Sequence, residues 1–147
     1  MSKTIHFNYP EKSVLEHPSD VGLEVHGETL GKALENLIVD FYSLQLKSAK
    51  VLAEKGRDLT ICAMDYESLV VRILSELLYL LQGERKLWMG NLTVKENEGE
   101  VCAQGNGIEM DVEVGPQDVI EDIKAVTYHR ILVEKNNDWR IRVFFDI

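Results

Sequence analysis

The sequence predicts an α+β fold in which two helices pack on one face of a mixed, largely antiparallel sheet with a C-terminal β-hairpin. Two segments carry apolar residues at helical spacing, strand patterns surround them, and every pattern after residue 86 is that of a strand. Helices segregated in this way usually cover one face of an antiparallel sheet. The 147 residues contain no repeat, low-complexity tract or linker, so a single domain, residues 1–147, is expected.

The first half of the chain alternates between strand and helix patterns. Residues 20–26 (DVGLEVH) alternate between polar and apolar side chains, as in a half-buried strand. Apolar residues then recur at helical spacing across residues 30–41, and Thr29 is placed to cap that helix. Residues 50–64 are predicted to form strand on both sides of a turn at EKGRD, residues 54–58.

A second helix is predicted over the segment DYESLVVRILSELLYLLQG, which begins at residue 65. Asp65 is a good N-cap residue, Glu67 suits the positive end of the helix dipole, and Gly83 suits the position just after the helix. Two adjacent apolar stripes run along this helix. We therefore expect it to be buried on more than one side, against a sheet and another helix.

The remaining segments are predicted to be strands. Residues 108–114 alternate between apolar and acidic side chains, which indicates a strand with one wet face. The GNG sequence at residues 105–107 resembles a hairpin turn. Residues 123–134 and 139–147 form a predicted hairpin around a KNND turn.

The register of this hairpin places the penultimate residue of the chain. Pairing Glu134 with Trp139 predicts that Thr127 lies opposite Asp146, with His129 on the diagonal. These polar neighbours put the Asp146 carboxylate on the wet face of the sheet.

The composition indicates a cytoplasmic globular protein. Hydrophobic residues make up 45% of the chain, and charged residues 28%. The apolar runs are shorter than the roughly 18 residues of a membrane span, and no secretory signal is apparent.

Cys62 and Cys102 are expected to be reduced core thiols, although the sequence is also compatible with their pairing. The net charge of −9 opposes tight binding of RNA or DNA, so a role in nucleic acid metabolism would involve contact with a protein.

Asp20, Asp146 and the terminal carboxylate of Ile147 form the first candidate site. Asp20 begins a strand and Asp146 ends one, so these groups converge if the two strand ends lie together. A divalent cation is the simplest means of holding like charges together, and all-oxygen ligation favours Ca²⁺, Mg²⁺ or Mn²⁺. The alternative is that both aspartates are ordinary solvated surface charges.

Other polar residues have structural explanations beside functional ones. A strand histidine such as His17 or His129 is more often a structural hydrogen-bond donor than a ligand or base. Lys124 heads a strand, where lysine is usually an edge residue, and Asp65 is explained as an N-cap. The sequence has no phosphate-binding loop, hydrolase elbow, HExxH or CxxC motif, so no motif indicates an enzyme.

Four segments together resemble the archease family: HPSDVGLEVHGETLGKALENL at 17–37, DYESLVVRILSELLYL at 65–80, IKAVTYH at 123–129 and FFDI at 144–147. The AVTYH stretch and the terminal Asp-Ile are the more specific parts. The first family motif usually reads His-Thr-Ala-Asp, where this chain has Pro18 and Ser19, and an Asn often stands at the position of Ser75. Both departures leave the acidic positions intact.

The resemblance implies a function. Archeases are accessory proteins of the RtcB-type tRNA-splicing RNA ligase, which uses GTP and Mn²⁺, and they promote guanylylation and repeated turnover of that ligase. In the family, one divalent ion is held at positions that match Asp20, Asp146 and Ile147, and Ca²⁺ is the ion expected here. A tail after Ile147 would abolish a ligand formed by its terminal carboxylate. The candidates for contact with the partner or around the ion are His17, Asp65, Lys124 and His129.

Two other functions are compatible with the sequence. The first is a chaperone-like binding module for RNA-modifying enzymes such as tRNA methyltransferases. The second is a small metal-dependent hydrolase, for which nucleophile and base motifs are absent. If the protein activates a ligase, we expect its acidic surface to dock on a basic, RNA-facing surface of that partner. We expect neither binding to a membrane nor tight direct binding of nucleic acid.

Overall fold

The computed structural model describes residues 3–16 and 19–147. One four-stranded sheet, sheet A, contains β1 (Lys3–His6), β4 (Ser48–Ala63), β6 (Glu100–Glu113) and β5 (Lys86–Asn97), in that order across the sheet. A second, sheet B, contains β2 (Val14–Glu16), β3 (Asp20–Gly27), β8 (Trp139–Asp146) and β7 (Ala125–Lys135). The helices are α1 (Leu30–Gln45) and α2 (Tyr66–Glu84).

The predicted α+β class, with its helices and C-terminal hairpin, is confirmed. The strands divide between two antiparallel sheets, and each helix contacts strands of both sheets. Helix α1 touches β3 and β5, and α2 touches β7 and β4. Apolar side chains on more than one side of each helix explain this double contact, because each side needs a surface to pack against. No helix in the described ranges is long and apolar enough to cross a membrane.

Both predicted helix N-caps are confirmed. The Thr29 hydroxyl accepts a hydrogen bond from the Lys32 N–H (3.0 Å), and the Asp65 carboxylate accepts one from the Ser68 N–H (2.7 Å). The hydrogen bond from Ser68 lowers the pKa of Asp65, because it stabilises the ionised carboxylate. At the other end of α2 the prediction of Gly83 as the terminating residue is wrong, because the left-handed residue is Arg85 (φ 54°).

Both turns predicted inside sheet A are wrong. Residues 54–58 lie in the middle of β4, and residues 105–107 lie in the middle of β6. The glycines of the latter segment have a packing role instead. The ring of Trp88 lies against Gly105 and Gly107, where an added Cβ would stand 2.6 Å from ring atoms. These glycines permit close packing within a strand, which local sequence does not distinguish from a turn.

Two further expectations about sheet A are corrected. The acidic face predicted for residues 108–114 is not uniformly wet, because Glu109 is only 3% exposed while Ile108 is 46% exposed. Cys62 and Cys102 are joined in a disulfide and are not reduced thiols. They are direct partners across β4 and β6, with 4.0 Å between their Cα atoms, a proximity that strand pairing creates.

Candidate functional site

The first residue of β3 lies directly opposite the last residue of β8. Antiparallel pairing sets Asp20 across from Asp146. Residues paired in this way project to the same face of a sheet, so both carboxylates lie on one face of sheet B. Ile147 follows immediately. The structure therefore brings together the two aspartates of the predicted ligand set and the residue that carries its third carboxylate.

The register of the C-terminal hairpin differs from the prediction. A bulge between Thr127 and Leu132 shifts the pairing of β7 with β8, and Asp146 lies opposite Ala125. The prediction that Thr127 lies opposite Asp146 is wrong. The bulged segment, residues 128–131 (YHRI), contains no Gly, Asn or Asp that would have indicated an irregular backbone.

The side chain of Asp20 is mostly buried, with 15% of it exposed. Its Oδ2 lies 3.8 Å from Nη2 of Arg130. Its Oδ1 is buried and has no hydrogen-bond partner among the residues that the structure describes. A buried carboxylate oxygen without a partner has lost its hydration without compensation, which costs free energy. Together with the Asp146 carboxylate and the terminal carboxylate of Ile147, this oxygen would give an all-oxygen donor set of the kind that a hard divalent cation prefers.

Arg130 is held beside Asp20 by its backbone and by an aromatic ring. Its φ of 56° lies in the left-handed region, within the bulge of β7. Its guanidinium carbon lies 4.1 Å from the ring centroid of Phe144, a cation–π distance. The ring of Phe144 lies against Gly22, where an added Cβ would be 2.6 Å from a ring atom. Gly22 thus allows the ring to approach closely the strand that begins with Asp20.

Arg130 and Phe144 were missed by sequence reasoning. The one available signal was Gly22, since a glycine inside an alternating strand indicates close approach of another group. Arginine in a left-handed conformation has no such signal.

Lys124 and His129 lie in or beside the strand that pairs with Asp146. The Lys124 N–H donates a hydrogen bond to the Asp146 carbonyl (2.8 Å), while its side chain is exposed. His129 is exposed in the bulge, and its N–H donates to the Thr127 hydroxyl (3.2 Å).

Asp65 is not brought to this cluster. The next residue, Tyr66, packs edge-on against Trp139, with 5.3 Å between ring centroids. Trp139 begins β8 and Asp146 ends it, and a strand of this length spans about 23 Å. Asp65 therefore caps α2 at the far end of β8. His17, the remaining candidate, lies outside the described residues.

The protein is thus a small α+β domain in which Asp20 and Asp146 pair across the ends of neighbouring strands of sheet B. The profile of the Archease protein family (MTH1598/TM1083) matches residues 13–147. The archease of Methanosarcina acetivorans is 35% identical over 138 residues, covering 90% of this chain and 93% of that protein. The archease of Pyrococcus furiosus is 29% identical over 127 residues, covering 85% and 89%. The chain therefore belongs to the archease family.

Two solved structures share the fold. The solution structure of Methanobacterium thermoautotrophicum protein 1598 has a TM-score of 0.70 at 22% identity and covers 92% of this chain and 97% of that chain. The crystal structure of an archease from Thermotoga maritima, described as a possible chaperone, has a TM-score of 0.59 at 17% identity, covering 97% and 99%. At these identities the likeness concerns the fold alone.

Proposed function

We propose that this protein is a metal-binding accessory protein that activates an RtcB-type tRNA-splicing RNA ligase, promoting guanylylation of the ligase and its repeated turnover. Membership of the archease family supports the class of partner. The pairing of Asp20 with Asp146 supports the ion site. In this proposal the protein is not itself an enzyme, and the chemistry of RNA joining belongs to the ligase with its GTP and Mn²⁺.

The observation that carries the ion site is the buried, unpartnered Oδ1 of Asp20 beside Asp146. This oxygen, the Asp146 carboxylate and the terminal carboxylate of Ile147 would hold the cation. All are hard oxygen ligands, which Ca²⁺, Mg²⁺ and Mn²⁺ prefer. We favour Ca²⁺, because it accepts irregular geometry and keeps positions for water or for an oxygen of the partner.

Backbone contacts fix the positions of the two aspartates in the sheet. Backbone pairing of β3 with β8 holds the two aspartates in register, and the Lys124 N–H holds the carbonyl of Asp146. A bound divalent cation would offset two of the three carboxylate charges. An open coordination position on the cation could then accept an oxygen of an anionic group of the partner complex. Placement on strands keeps the ligand geometry tighter than a loop would.

Docking on the ligase is expected to be electrostatic. The net charge of −9 complements a basic, RNA-facing surface, and attraction between exposed charges falls as salt screens it. The affinity for the ligase should fall strongly as the salt concentration rises, which calorimetry over a series of salt concentrations would measure. Salt-independent affinity would contradict this mode of docking.

The first test is multiple-turnover RNA ligation by the cognate ligase with GTP and Mn²⁺. A substoichiometric amount of this protein should raise the number of turnovers. The Asp146→Asn variant should lose the effect, whereas Asp58→Asn, at an exposed position on β4, should retain it. No rise with a demonstrably active ligase would refute the proposal.

A second test addresses the ion without the ligase. A cation at about 100 times its dissociation constant should add roughly 2.7 kcal/mol to the free energy of unfolding, which raises the melting temperature by several degrees. Asp20→Asn should abolish the shift. A short extension after Ile147 should do the same without lowering the melting temperature of the ion-free protein. An unchanged shift in the extended protein would remove Ile147 from the ligand set.

The second candidate function is a chaperone-like module for RNA-modifying enzymes such as tRNA methyltransferases. The description of the Thermotoga maritima archease as a possible chaperone favours it. Aggregation of such a client should then be suppressed equally by the parent protein and by Asp146→Asn. Protection that depends on Asp146, or no protection, would argue against this function.

A further inference from the structure

We infer that Arg130 competes with the divalent cation for Asp20. In the ion-free protein the guanidinium of Arg130 lies in the negative field of the Asp20 carboxylate, and it must move outward when the cation binds. The inference rests on the proposed ion site and assigns to it a residue that sets its affinity. It also predicts the sign of the change in affinity when Arg130 is replaced.

The contact with Asp20 is one-sided. Arg130 approaches Oδ2 at 3.8 Å, while Oδ1 stays buried without a partner in the described part of the chain. The guanidinium therefore neutralises part of the carboxylate charge without filling the site. A cation that enters at Oδ1 meets the positive charge of Arg130 on the other oxygen of the same carboxylate.

The side chain of Arg130 is anchored but has room to move. Its stem starts from a left-handed residue, and its guanidinium stacks on Phe144 at 4.1 Å. The side chain is 36% exposed, so part of it borders solvent. An arginine stacked on an aromatic ring can slide outward while keeping the cation–π contact. Arg130 would thus stay near the ion and continue to repel it.

The charges set the expected size of the effect. A divalent ion and a guanidinium about 6 Å apart in a water-like dielectric repel each other enough to lower ion affinity by a factor of about ten. In the alternative role, Arg130 would orient the Asp20 carboxylate for the ion, and replacing Arg130 would then change ion affinity in the opposite direction. In that case, removal of Arg130 would loosen the carboxylate and weaken ion binding.

The test is calorimetric titration of Ca²⁺ and of Mn²⁺ into the full chain and its variants. Arg130→Gln should bind the ion about tenfold more tightly, because the repelling charge is gone. Arg130→Lys retains the charge and should stay close to the parent. The matched control is Arg142→Gln, on the same face of sheet B but paired with Glu24, about 13 Å along β3 from Asp20. It should change affinity by less than about twofold.

The outcomes separate this inference from the proposed function. If the parent binds the ion and Arg130→Gln binds it equally or more weakly, only the present inference fails. If neither protein binds any divalent ion, the ion site of the proposed function fails and the inference with it.

A second measurement uses the unmodified protein, in case Arg130→Gln does not fold. The side-chain Nε–H resonance of Arg130 should shift on saturation with Ca²⁺, while that of Arg142 should not. An unmoved Arg130 resonance in ion-loaded protein would overturn the inference.

Discussion

Glu109 is a buried charge whose cost is offset by cations from neighbouring strands. Its side chain is 3% exposed, and the ion-pair partners are Arg57, Lys55 (3.4 Å) and Lys86 (3.5 Å). The hydrogen bond from Arg57 contributes most to lowering the pKa of Glu109, with Lys55 and Lys86 adding to it. Burial alone would raise that pKa, so the cations outweigh desolvation here.

This arrangement predicts a pH dependence of stability. Because the pKa of Glu109 is lower in the folded than in the unfolded chain, its stabilisation is complete above the unfolded value of about 4.3 and is lost as pH falls through the folded value. Glu109→Gln should lower the free energy of unfolding at neutral pH by about 1–3 kcal/mol. It should also flatten the loss of stability below about pH 4.

Urea denaturation at a series of pH values measures both effects. Glu113→Gln, at an exposed position of the same strand, is the matched control and should leave the loss of stability at acidic pH unchanged. If Glu109→Gln loses stability at acidic pH as steeply as the parent protein does, the ion pairs of Glu109 contribute nothing to stability.

The contact between α1 and β5 is unusually close. An added Cβ at Gly31, in the first turn of α1, would lie 2.1 Å from the Leu92 carbonyl oxygen. Further along α1, the Tyr42 hydroxyl donates to the Trp88 carbonyl (2.8 Å) and accepts from the Trp88 N–H (3.0 Å). The helix is therefore held against the strand at both places, and burial raises the pKa of Tyr42 so that its hydroxyl keeps its proton.

Gly31→Ala should separate the helix from the strand. The obstructing atom belongs to the backbone and cannot rotate away, so we expect a loss of about 1–3 kcal/mol. Gly56→Ala is the control, because nothing lies within 4 Å of its added Cβ. It should be neutral or slightly stabilising. Equal thermal melts for the two variants would contradict the predicted clash.

The disulfide closes a long loop of the chain. Cys62 and Cys102 are 40 residues apart in sequence, and the chain between them contains α2, β5 and the start of β6. Closure of a loop of this length is expected to stabilise the folded state by roughly 4 kcal/mol, through the lost entropy of the unfolded chain.

Reduction should therefore lower the midpoint of urea denaturation. A Cys62→Ser, Cys102→Ser double variant should unfold at the same urea concentration as the reduced parent protein, and reductant should not change its midpoint. Free-thiol titration of the unreduced, denatured protein should find no thiol. A full complement of reactive thiols there would mean that the bridge does not form.

The parts of the fold that depend on neighbouring residues were predictable. Thr29 and Asp65 cap their helices through hydrogen bonds to residues three positions ahead, so a short window of sequence contains the whole interaction. The alternation of residues 20–26 likewise depends on one strand having one buried face. Asp20 and Asp146 became candidates because each lies at an end of a predicted strand, and the archease resemblance matches the same two positions.

The fold class, the helices and the two aspartates of the proposed ion site were therefore predictable from the sequence alone. Three-dimensional packing fixes the division into two sheets, the bulge that sets Asp146 opposite Ala125, and the position of Arg130 beside Asp20. Helical hydrogen bonds and caps join residues a few positions apart, so a short stretch of sequence contains both partners. Sheet partners, the packing of Phe144 on Gly22 and the disulfide join residues that are distant in the chain, and no local pattern specifies which of them meet.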